Sequence, residues 1–237
     1  MIAGRTAVDL GWGSISVLTY TPDDDPRADV LLLHGGGLDN AWLSWSGLGP
    51  VLAGSGYRVF APDHPGYGLS PAAPWLATQE RLVAHIEDLI AALGLERPVL
   101  GGLSLGGGMA LGHALTPEAD LAGLLLFGSY GLSDRLYTGP AESLAQRLTY
   151  WSVRTGLLAA AQRGTARSRR ALAMSLSGNG LVSDPRRLTP ELRTGIAEEG
   201  ARPHAFEAFA QWQRDQIGPR GLRTDYTAAL GASTSRR

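Results

Sequence analysis

The 237-residue chain contains no cysteine and no lysine, since all 21 of its basic residues are arginine. Without cysteine it has no disulfide framework, no thiolate nucleophile and no cysteine ligand for zinc. Without lysine it lacks the residue on which Schiff-base enzymes and P-loop nucleotide sites depend. Covalent chemistry is left to serine, threonine, aspartate, glutamate and histidine, and we expect neither a metal ion nor a cofactor.

Targeting and membrane signals are absent as well. Residues 1–13 contain no apolar signal-peptide core, and no apolar run approaches the roughly 18 residues that a membrane span requires. We therefore expect a cytoplasmic protein with no membrane partner.

The charges are divided unevenly along the chain. Residues 1–130 carry 5 arginines against 13 acidic residues, whereas residues 131–237 carry 16 arginines against 9 acidic residues. The arginines of the second part alternate with alanine, leucine and acidic residues rather than with aromatics, which is typical of solvated helices and not of nucleic-acid binding. We expect a small-molecule partner and no nucleic acid, and the sequence leaves the oligomeric state open.

Short apolar runs alternate with a helical pattern in the first part of the chain. A hairpin is predicted around Gly11–Gly13, and leucine and isoleucine at spacings of three and four predict a helix over residues 78–93. Four apolar runs are typical of strands buried on both faces: residues 29–33, 57–61, 98–101 and 122–127. This alternation predicts an α/β fold with a mostly parallel sheet and helices on both faces. From residue 139 to 217 only helical patterns occur, with starts predicted at Thr189 and Pro203.

The segment from Gly102 to Gly106 fits the pattern G-x-S-x-G, with Ser104 at its centre. It follows the apolar run 98–101 and precedes a helical pattern, which is the context in which this pattern forms a sharp strand-to-helix turn. Glycines two residues before and after the serine leave room for the strained backbone that exposes Oγ. The segment therefore predicts Ser104 as a nucleophile.

A second glycine run, His34 to Gly37, directly follows the predicted strand that ends at Leu33. Consecutive glycines allow backbone N–H groups to approach a developing negative charge closely. We expect the N–H groups of Gly36 and of Leu105, the residue after the nucleophile, to form an oxyanion hole.

A third cluster, from Asp63 to Ser70, follows the strand predicted to end at Ala61. The three motifs, in this order and each after a strand, resemble those of the α/β-hydrolase family over residues 14–130. Residues 131–217 resemble the helical cap that such enzymes insert after their sixth strand. The resemblance makes the Asp63–Ser70 segment a structural loop bordering the active site.

The resemblance implies a serine hydrolase with carboxylesterase-like chemistry. Ser104 would attack a carbonyl and form an acyl-enzyme, while a histidine would take its proton. Serine at this turn differs from the dehalogenase and epoxide-hydrolase branches, which have aspartate there. Esters, thioesters, amides and the carbon–carbon bonds of ring-cleavage products all stay open as substrates.

The family pattern breaks near the end of the sequence. In the family the acid follows the seventh strand and the histidine the eighth, whereas here residues 221–230 resemble the run-in to the seventh strand and residues 231–237 show no strand pattern and no histidine. We interpret the chain as truncated and impaired as an enzyme, with its last strands missing and an open edge at the sixth strand. The predicted units are the core over 1–130, the helical cap over 131–218 and the truncated run-in over 219–237.

No acid or base is identified. His34 and His64 are predicted in loops near Ser104 but are structural by the resemblance, and His85 and His113 fall on helices behind the sheet. His204 belongs to the cap, without an evident acid partner. Asp134, after the sixth strand, is a candidate acid that comes several residues later than the family pattern places it.

Two other interpretations stay open. One is a non-catalytic ligand-binding or interaction protein that keeps the cleft and the cap, and the other is a site completed by another chain. The cap also offers four aromatic candidates for the wall of a substrate pocket, with packing inside the cap as the competing interpretation of each: Trp151, Phe206, Phe209 and Trp212.

Overall fold

The computed structural model describes residues 2–178 and 184–234. Its strands form one sheet in the order β1-β2-β4-β3-β5-β6. Their bounds are β1 (Ile2–Asp9), β2 (Ser14–Thr21), β3 (Ala28–Leu33), β4 (Tyr57–Pro62), β5 (Val99–Leu103) and β6 (Gly123–Phe127). The predicted hairpin is present as β1 and β2, and each of the four predicted apolar runs forms a strand.

The four neighbouring strands β4, β3, β5 and β6 are parallel, whereas β1 and β2 add an antiparallel edge. β3 lies between β4 and β5, and in both pairs the registers are parallel. β6 extends the parallel part beside β5, while β2 pairs antiparallel with both β1 and β4. The carboxyl ends of β3, β4, β5 and β6 therefore lie at one edge of the sheet, where ligands bind in open α/β folds.

Alternate residues of β3 pack on opposite faces of the sheet. Leu31 and Leu33 contact the cluster formed by α3 (Gln79–Leu93) and α4 (Leu105–Ala114), whereas Val30 and Leu32 contact the cluster of α1 (Ala41–Trp45) and α2 (Leu48–Gly54). This period of two, with apolar side chains on both faces, is the reason why the strand reads as a continuous apolar run. The predicted α/β class with helices on both faces is confirmed.

The second part of the described chain is helical. It contains α5 (Glu142–Arg154), α6 (Leu157–Arg167), α7 (Arg169–Gly178), a short 3₁₀ turn (Pro185–Arg187), α8 (Pro190–Gly200) and α9 (Glu207–Gln216), which we call the helical segment. Thr189 caps α8, since its side chain accepts from the Leu192 N–H at 3.3 Å. The start predicted at Pro203 is wrong, because residues 201–206 form turns and α9 begins at Glu207, with Phe206 at φ +68° as its N-cap.

Beyond the helical segment, the chain returns to the core. Ile217 and Leu222 form an isolated antiparallel bridge, and residues 227–234 form α10 (Thr227–Thr234). Among the described residues no strand follows β6, so β6 is an edge strand, and its Leu125, Leu126 and Phe127 are 37–39% exposed. No helix in residues 2–178 or 184–234 combines the length and hydropathy of a membrane span.

A buried carboxylate joins the hairpin to the loops at the carboxyl edge. The Asp63 side chain is fully buried and accepts from Arg5 Nη1 at 2.6 Å, from the Ala41 N–H at 2.9 Å and from the Leu69 N–H at 2.9 Å. This agrees with the structural role that the resemblance implies for its loop.

Asp63→Ala is expected to lower the free energy of unfolding by about 3 kcal/mol, because it leaves two backbone N–H groups and a guanidinium without their acceptor. Urea unfolding followed by circular dichroism measures the change. Asp120→Ala is the control, since the Asp120 and Arg97 side chains are exposed, and it is expected to cost less than about 1 kcal/mol. Equal losses for the two variants would contradict the role given to Asp63.

Candidate active site

Ser104 occupies a strained turn between β5 and α4. Its φ of +50° and ψ of −110° lie in a region that non-glycine residues rarely adopt. The turn is compact because a Cβ at Gly102 would overlap the backbone of Gly106, and a Cβ at Gly106 would overlap the carbonyl oxygens of Leu33 and His34. Both flanking positions of the motif therefore require glycine for close backbone approach.

Backbone hydrogen bonds hold the strained serine in place. The Ser104 N–H donates to the Phe127 carbonyl at 2.9 Å, and the Ser104 carbonyl accepts from the Gly108 and Tyr130 N–H groups, each at 3.0 Å. The Ser104 residue is exposed, and its Oγ forms no hydrogen bond with any residue in the described ranges. The turn thus presents a free hydroxyl at the carboxyl edge of the sheet.

Two backbone N–H groups without a partner among the described residues lie in the segments that follow β3 and β5, at the same carboxyl edge of the sheet as this hydroxyl. Leu105 is the first residue of α4, so its N–H has no intrahelical partner and lies at the positive end of the helix dipole. Gly36 follows β3, the strand that neighbours β5. Within the described chain neither the Leu105 N–H nor the Gly36 N–H donates a hydrogen bond. Both predicted donors are therefore free to bind a negatively charged oxygen.

His34 orients the peptide group that carries the Gly36 N–H. Its Nδ1 donates to the Gly35 carbonyl at 2.8 Å, while its Nε2 accepts from the His64 N–H at 2.9 Å. A trans peptide points its N–H away from its carbonyl, so this bond directs the Gly36 N–H away from His34. The family resemblance implied a structural role for His34, and this hydrogen bond describes such a role.

Neither His34 nor His64 is placed to act as a general base for Ser104. Both nitrogens of His34 are engaged, and His64 Nε2 donates to the His34 carbonyl at 2.9 Å. The rings are fully buried with centroids 3.9 Å apart. Burial lowers the pKa of His64 to about 4. The pKa of His34 is also well below its usual value, mainly because of burial and secondly because of the neighbouring His64. Both imidazoles are neutral supports at neutral pH.

The remaining histidines lie on other parts of the molecule. His85 is buried in α3 between Trp12 and Trp75, and His113 is buried in α4 with Nε2 3.8 Å from Glu87. His204 is exposed and does have an acid partner, contrary to the sequence interpretation, since its Nδ1 lies 2.9 Å from Glu207 Oε2. None of these contacts involves Ser104, so no histidine pairs with Ser104 in the described residues.

Asp134, the candidate acid, is a surface residue. Its side chain is 67% exposed and lies 3.6 Å from the Arg135 guanidinium, while its backbone carbonyl accepts from the Leu222 N–H at 2.7 Å. The backbone bond ties the chain just before the helical segment to the chain just after it. They give no geometry for orienting a histidine.

Of the four aromatic wall candidates, two reach the oxyanion loop, which we define as residues 34–39. A Cβ at Gly36 would overlap the Phe209 ring, and the Phe206 ring lies near Gly37. Trp212 is buried, stacks on Phe209 at 5.6 Å between centroids and donates to Gln79 Oε1 at 2.8 Å. Trp151 is 60% exposed and lies on the surface. Only Phe206 and Phe209 border the candidate site directly.

Two carboxylates that the sequence did not reveal are Asp39, at the end of the oxyanion loop, and Glu199, beside it. Asp39 accepts from the Gly35 N–H at 2.7 Å, and the buried Glu199 of α8 accepts from Asn40 Nδ2 at 3.0 Å. Glu199 lies 159 positions from Asn40 in the sequence, so no local pattern could have revealed that contact. Asp39 follows a glycine run, and an aspartate at such a turn commonly accepts backbone N–H groups, which is the one signal that was present.

A model of the alpha/beta hydrolase fold family matches residues 29–181, more than half of the chain. One relative is the 2-hydroxy-6-oxo-6-(2'-aminophenyl)hexa-2,4-dienoic acid hydrolase of Metapseudomonas resinovorans, 29% identical over 80% of this chain and 59% of the relative. Another is the 2-hydroxymuconate semialdehyde hydrolase of Pseudomonas putida, 36% identical over 51% of this chain and 43% of the relative. The chain spans about half the length of these curated relatives.

Solved structures share the fold at low sequence identity. The 2-hydroxy-6-oxo-6-phenylhexa-2,4-dienoate hydrolase of a Rhodococcus species is 20% identical with a TM-score of 0.67, covering 90% of this chain and 72% of that one. A carboxylesterase of Bacillus subtilis is 19% identical with a TM-score of 0.60, covering 95% of this chain and 66% of that one. Similar backbones thus occur in proteins whose names give different substrates.

Proposed function

The chain belongs to the α/β-hydrolase fold family, and from this premise we propose that it is the nucleophile-bearing part of a serine hydrolase acting on a small carbonyl compound. The observation that carries the proposal is the strained, exposed Ser104 at a sheet edge where the next residue, Leu105, and Gly36 after the neighbouring strand have N–H groups that are unpaired in the described chain. We also propose that residues 1–130 are the core and that residues 131–218 form a cap over the site, which the packing of Phe209 on Gly36 supports.

In the proposed reaction, Ser104 Oγ attacks the substrate carbonyl carbon. The carbonyl oxygen gains the electron pair of its π bond, and the N–H groups of Gly36 and Leu105 donate to it. The hydroxyl proton passes to a base, and the tetrahedral intermediate then expels the leaving group, which takes up a proton. Water repeats the addition on the acyl-serine and releases the acid.

We propose that the general base comes from outside the 237 residues, because none of the five histidines contacts Ser104 in the described chain. A serine without its base keeps only the contribution of the oxyanion hole and substrate binding, so this chain alone is expected to react slowly. We therefore still propose that the chain by itself is an impaired hydrolase.

The names of the relatives favour one substrate class for the proposed site. A 2-hydroxy-6-oxo-dienoic acid contains a ketone, an enol and a carboxylate but neither an ester nor an amide, so its hydrolysis has to break a carbon–carbon bond. Serine addition to the 6-oxo carbon would begin such a cleavage. We propose this class ahead of simple esters. Labelling of Ser104 by a fluorophosphonate tests the serine chemistry that both substrate classes require.

A non-catalytic ligand-binding protein is the second candidate, and the lack of a histidine beside Ser104 is the observation that favours it. Chemical rescue separates the two. Free imidazole is expected to raise the rate of Ser104 labelling by a fluorophosphonate about 10-fold or more, because it can take the proton that a fixed histidine would take. In this reaction the serine oxygen bonds to phosphorus and fluoride leaves.

Lowering the pH provides an internal control for the increase in labelling rate that imidazole causes. Imidazolium cannot accept a proton, so the gain is expected to vanish when the same total imidazole is added well below its pKa. Intact-protein mass measures the labelled fraction at each time, and circular dichroism verifies the fold. Folded protein that shows no labelling with or without imidazole would favour the binding protein over the hydrolase.

A further inference from the structure

The Asp39 carboxylate makes a dense set of hydrogen bonds at the end of the oxyanion loop. Its Oδ2 accepts from the Gly35 N–H at 2.7 Å and from Ser44 Oγ at 2.7 Å. Its Oδ1 lies 2.8 Å from the Asn40 N–H and 2.9 Å from Ser44 Oγ. A Cβ at Gly35 would lie 2.9 Å from Oδ2, so the close approach requires the glycine. One side chain thus ties Gly35 to α1, the helix that carries Ser44.

These contacts bear on the direction of the Gly36 N–H. Two torsions at Gly35 set that direction, and a glycine leaves both of them free over a wide range. Asp39 holds the N–H on one side of Gly35, and His34 holds the carbonyl on the other side. With both ends held, the peptide between Gly35 and Gly36 has one orientation available.

We propose that Asp39 is a positioning residue that fixes Gly35 and thereby aims the Gly36 N–H at the oxyanion formed on Ser104. The inference rests on the proposed function, since it assigns a role within that site. Asp39 does not touch the substrate in this account and acts only through the loop. A carboxylate suits the task because N–H bonds to a charged acceptor are shorter and stronger than bonds to a neutral one.

The surroundings of Asp39 make its charge sensitive to pH. Burial, with a smaller contribution from the Glu199 carboxylate, raises the pKa of Asp39 to about 6 against the lowering effect of the bonds from Ser44, Gly35 and Asn40. Glu199 is itself held by Asn40, by the Gly68 N–H at 3.1 Å and by Arg202 Nε at 3.1 Å. Tyr67, whose pKa burial raises, also faces this cluster, together with the neutral His34. The hold on Gly35 is therefore expected to weaken as the pH falls through about 6.

Nuclear magnetic resonance of the ¹⁵N-labelled chain tests the hold without any need for catalysis. The Gly35 and Gly36 amide resonances are expected to shift together between pH 7.5 and 5 with a midpoint near 6. This pH-dependent change, the amide step, is expected to be absent in Asp39→Asn. Asp120→Asn removes an exposed carboxylate elsewhere and is expected to leave the step in place. A Gly36 amide that does not follow Asp39 in the wild type would overturn the inference.

The effect on chemistry is tested by fluorophosphonate labelling with imidazole. Asp39→Ala is expected to slow labelling about 10-fold, as part of the 10²–10³-fold effect of an oxyanion donor, and Asp39→Asn, which keeps one acceptor, is expected to fall between. Imidazole titrates identically in all samples, so the ratio of the wild-type rate to the Asp39→Asn rate reports only the effect of the Asp39 charge. This ratio is expected to shrink toward one below pH 6, where Asp39 becomes neutral like asparagine.

The outcomes separate the inference from the proposed function. A rate ratio that stays constant with pH would overturn the inference even if labelling is strong. No labelling in any variant, with the amide step present, would overturn the proposed function while the hold on Gly36 stands. If Asp39→Ala fails to fold, Ser44→Ala removes the one hydroxyl that donates to the carboxylate and leaves Gly35 untouched, and it is expected to shift the midpoint of the amide step upward.

Discussion

Ser104→Ala is expected to reduce fluorophosphonate labelling of the folded protein to background, a loss of about 100-fold or more when imidazole is present. The reason is geometric as well as chemical, because the strained turn exposes this hydroxyl at the carboxyl edge of the sheet, where we propose that the Gly36 and Leu105 N–H groups stabilise the charge that develops. The rate of mass increase of the intact protein measures the loss.

Ser129→Ala is the matched control for this variant. Ser129 follows β6 beside the same turn, and its Oγ donates to the Tyr130 carbonyl at 3.0 Å. Removing that hydroxyl is expected to leave the labelling rate within about 2-fold of the wild type, since its hydrogen bond stays within the loop after β6 and the backbone bonds that hold Ser104 are kept. Labelling that survives in Ser104→Ala but falls in Ser129→Ala would show that the nucleophile has been assigned to the wrong serine.

Gly106→Ala is expected to destabilise the fold by about 3 kcal/mol or more. The added methyl group would overlap the carbonyl oxygens of Leu33 and His34, which belong to backbone at the end of β3 and cannot rotate away. Relief would require α4 to move off the sheet, and α4 packs there through Met109 and Ala110. Chemical denaturation followed by tryptophan fluorescence measures the loss.

A second glycine variant shows whether the effect is specific to the turn. Gly164 lies in the middle of α6, and a Cβ there would meet no atom within 4 Å. Gly164→Ala is expected to raise the free energy of unfolding by about 0.5–1 kcal/mol, because alanine favours the helix and restricts the unfolded chain. A Gly106→Ala protein as stable as the wild type would contradict the packing described for the turn.

The core could be predicted from the sequence because its signals are local. Each buried strand is a short apolar run, and the turn around Ser104 is marked by glycines at fixed offsets from the serine. The same local signals identified Thr189 as a helix cap. The start predicted at Pro203 failed because a proline favours a first helical turn but does not exclude a run of tight turns, and Phe206 takes a left-handed conformation that its side chain gives no reason to expect.

The supports of the candidate site could not be predicted, because they depend on contacts between distant segments. The bond from the His64 N–H to His34 joins residues 30 positions apart, and Glu199 reaches Gly68 across 131 positions. Nothing near His34 in the sequence indicates which ring nitrogen carries a proton. That assignment follows from the Gly35 carbonyl on one side and the His64 N–H on the other.

The helical segment illustrates a further limit of sequence reasoning. The four aromatic candidates for a pocket wall looked equivalent, since each lies on an amphipathic helical pattern or beside one. In the structure Phe209 covers Gly36, whereas Trp151 is exposed on α5. Which face of a helix meets the core depends on the path of the turns before it, and those turns are the least predictable part of the chain.

Peptide mapping of the fluorophosphonate adduct tests the central claim most directly, because it asks which oxygen of the folded protein is the nucleophile. The wild-type chain is treated with the probe in the presence of imidazole, digested and sequenced by mass spectrometry. The account predicts a single phosphonylated residue, Ser104. An adduct on another hydroxyl, or none on protein that circular dichroism shows to be folded, would contradict it.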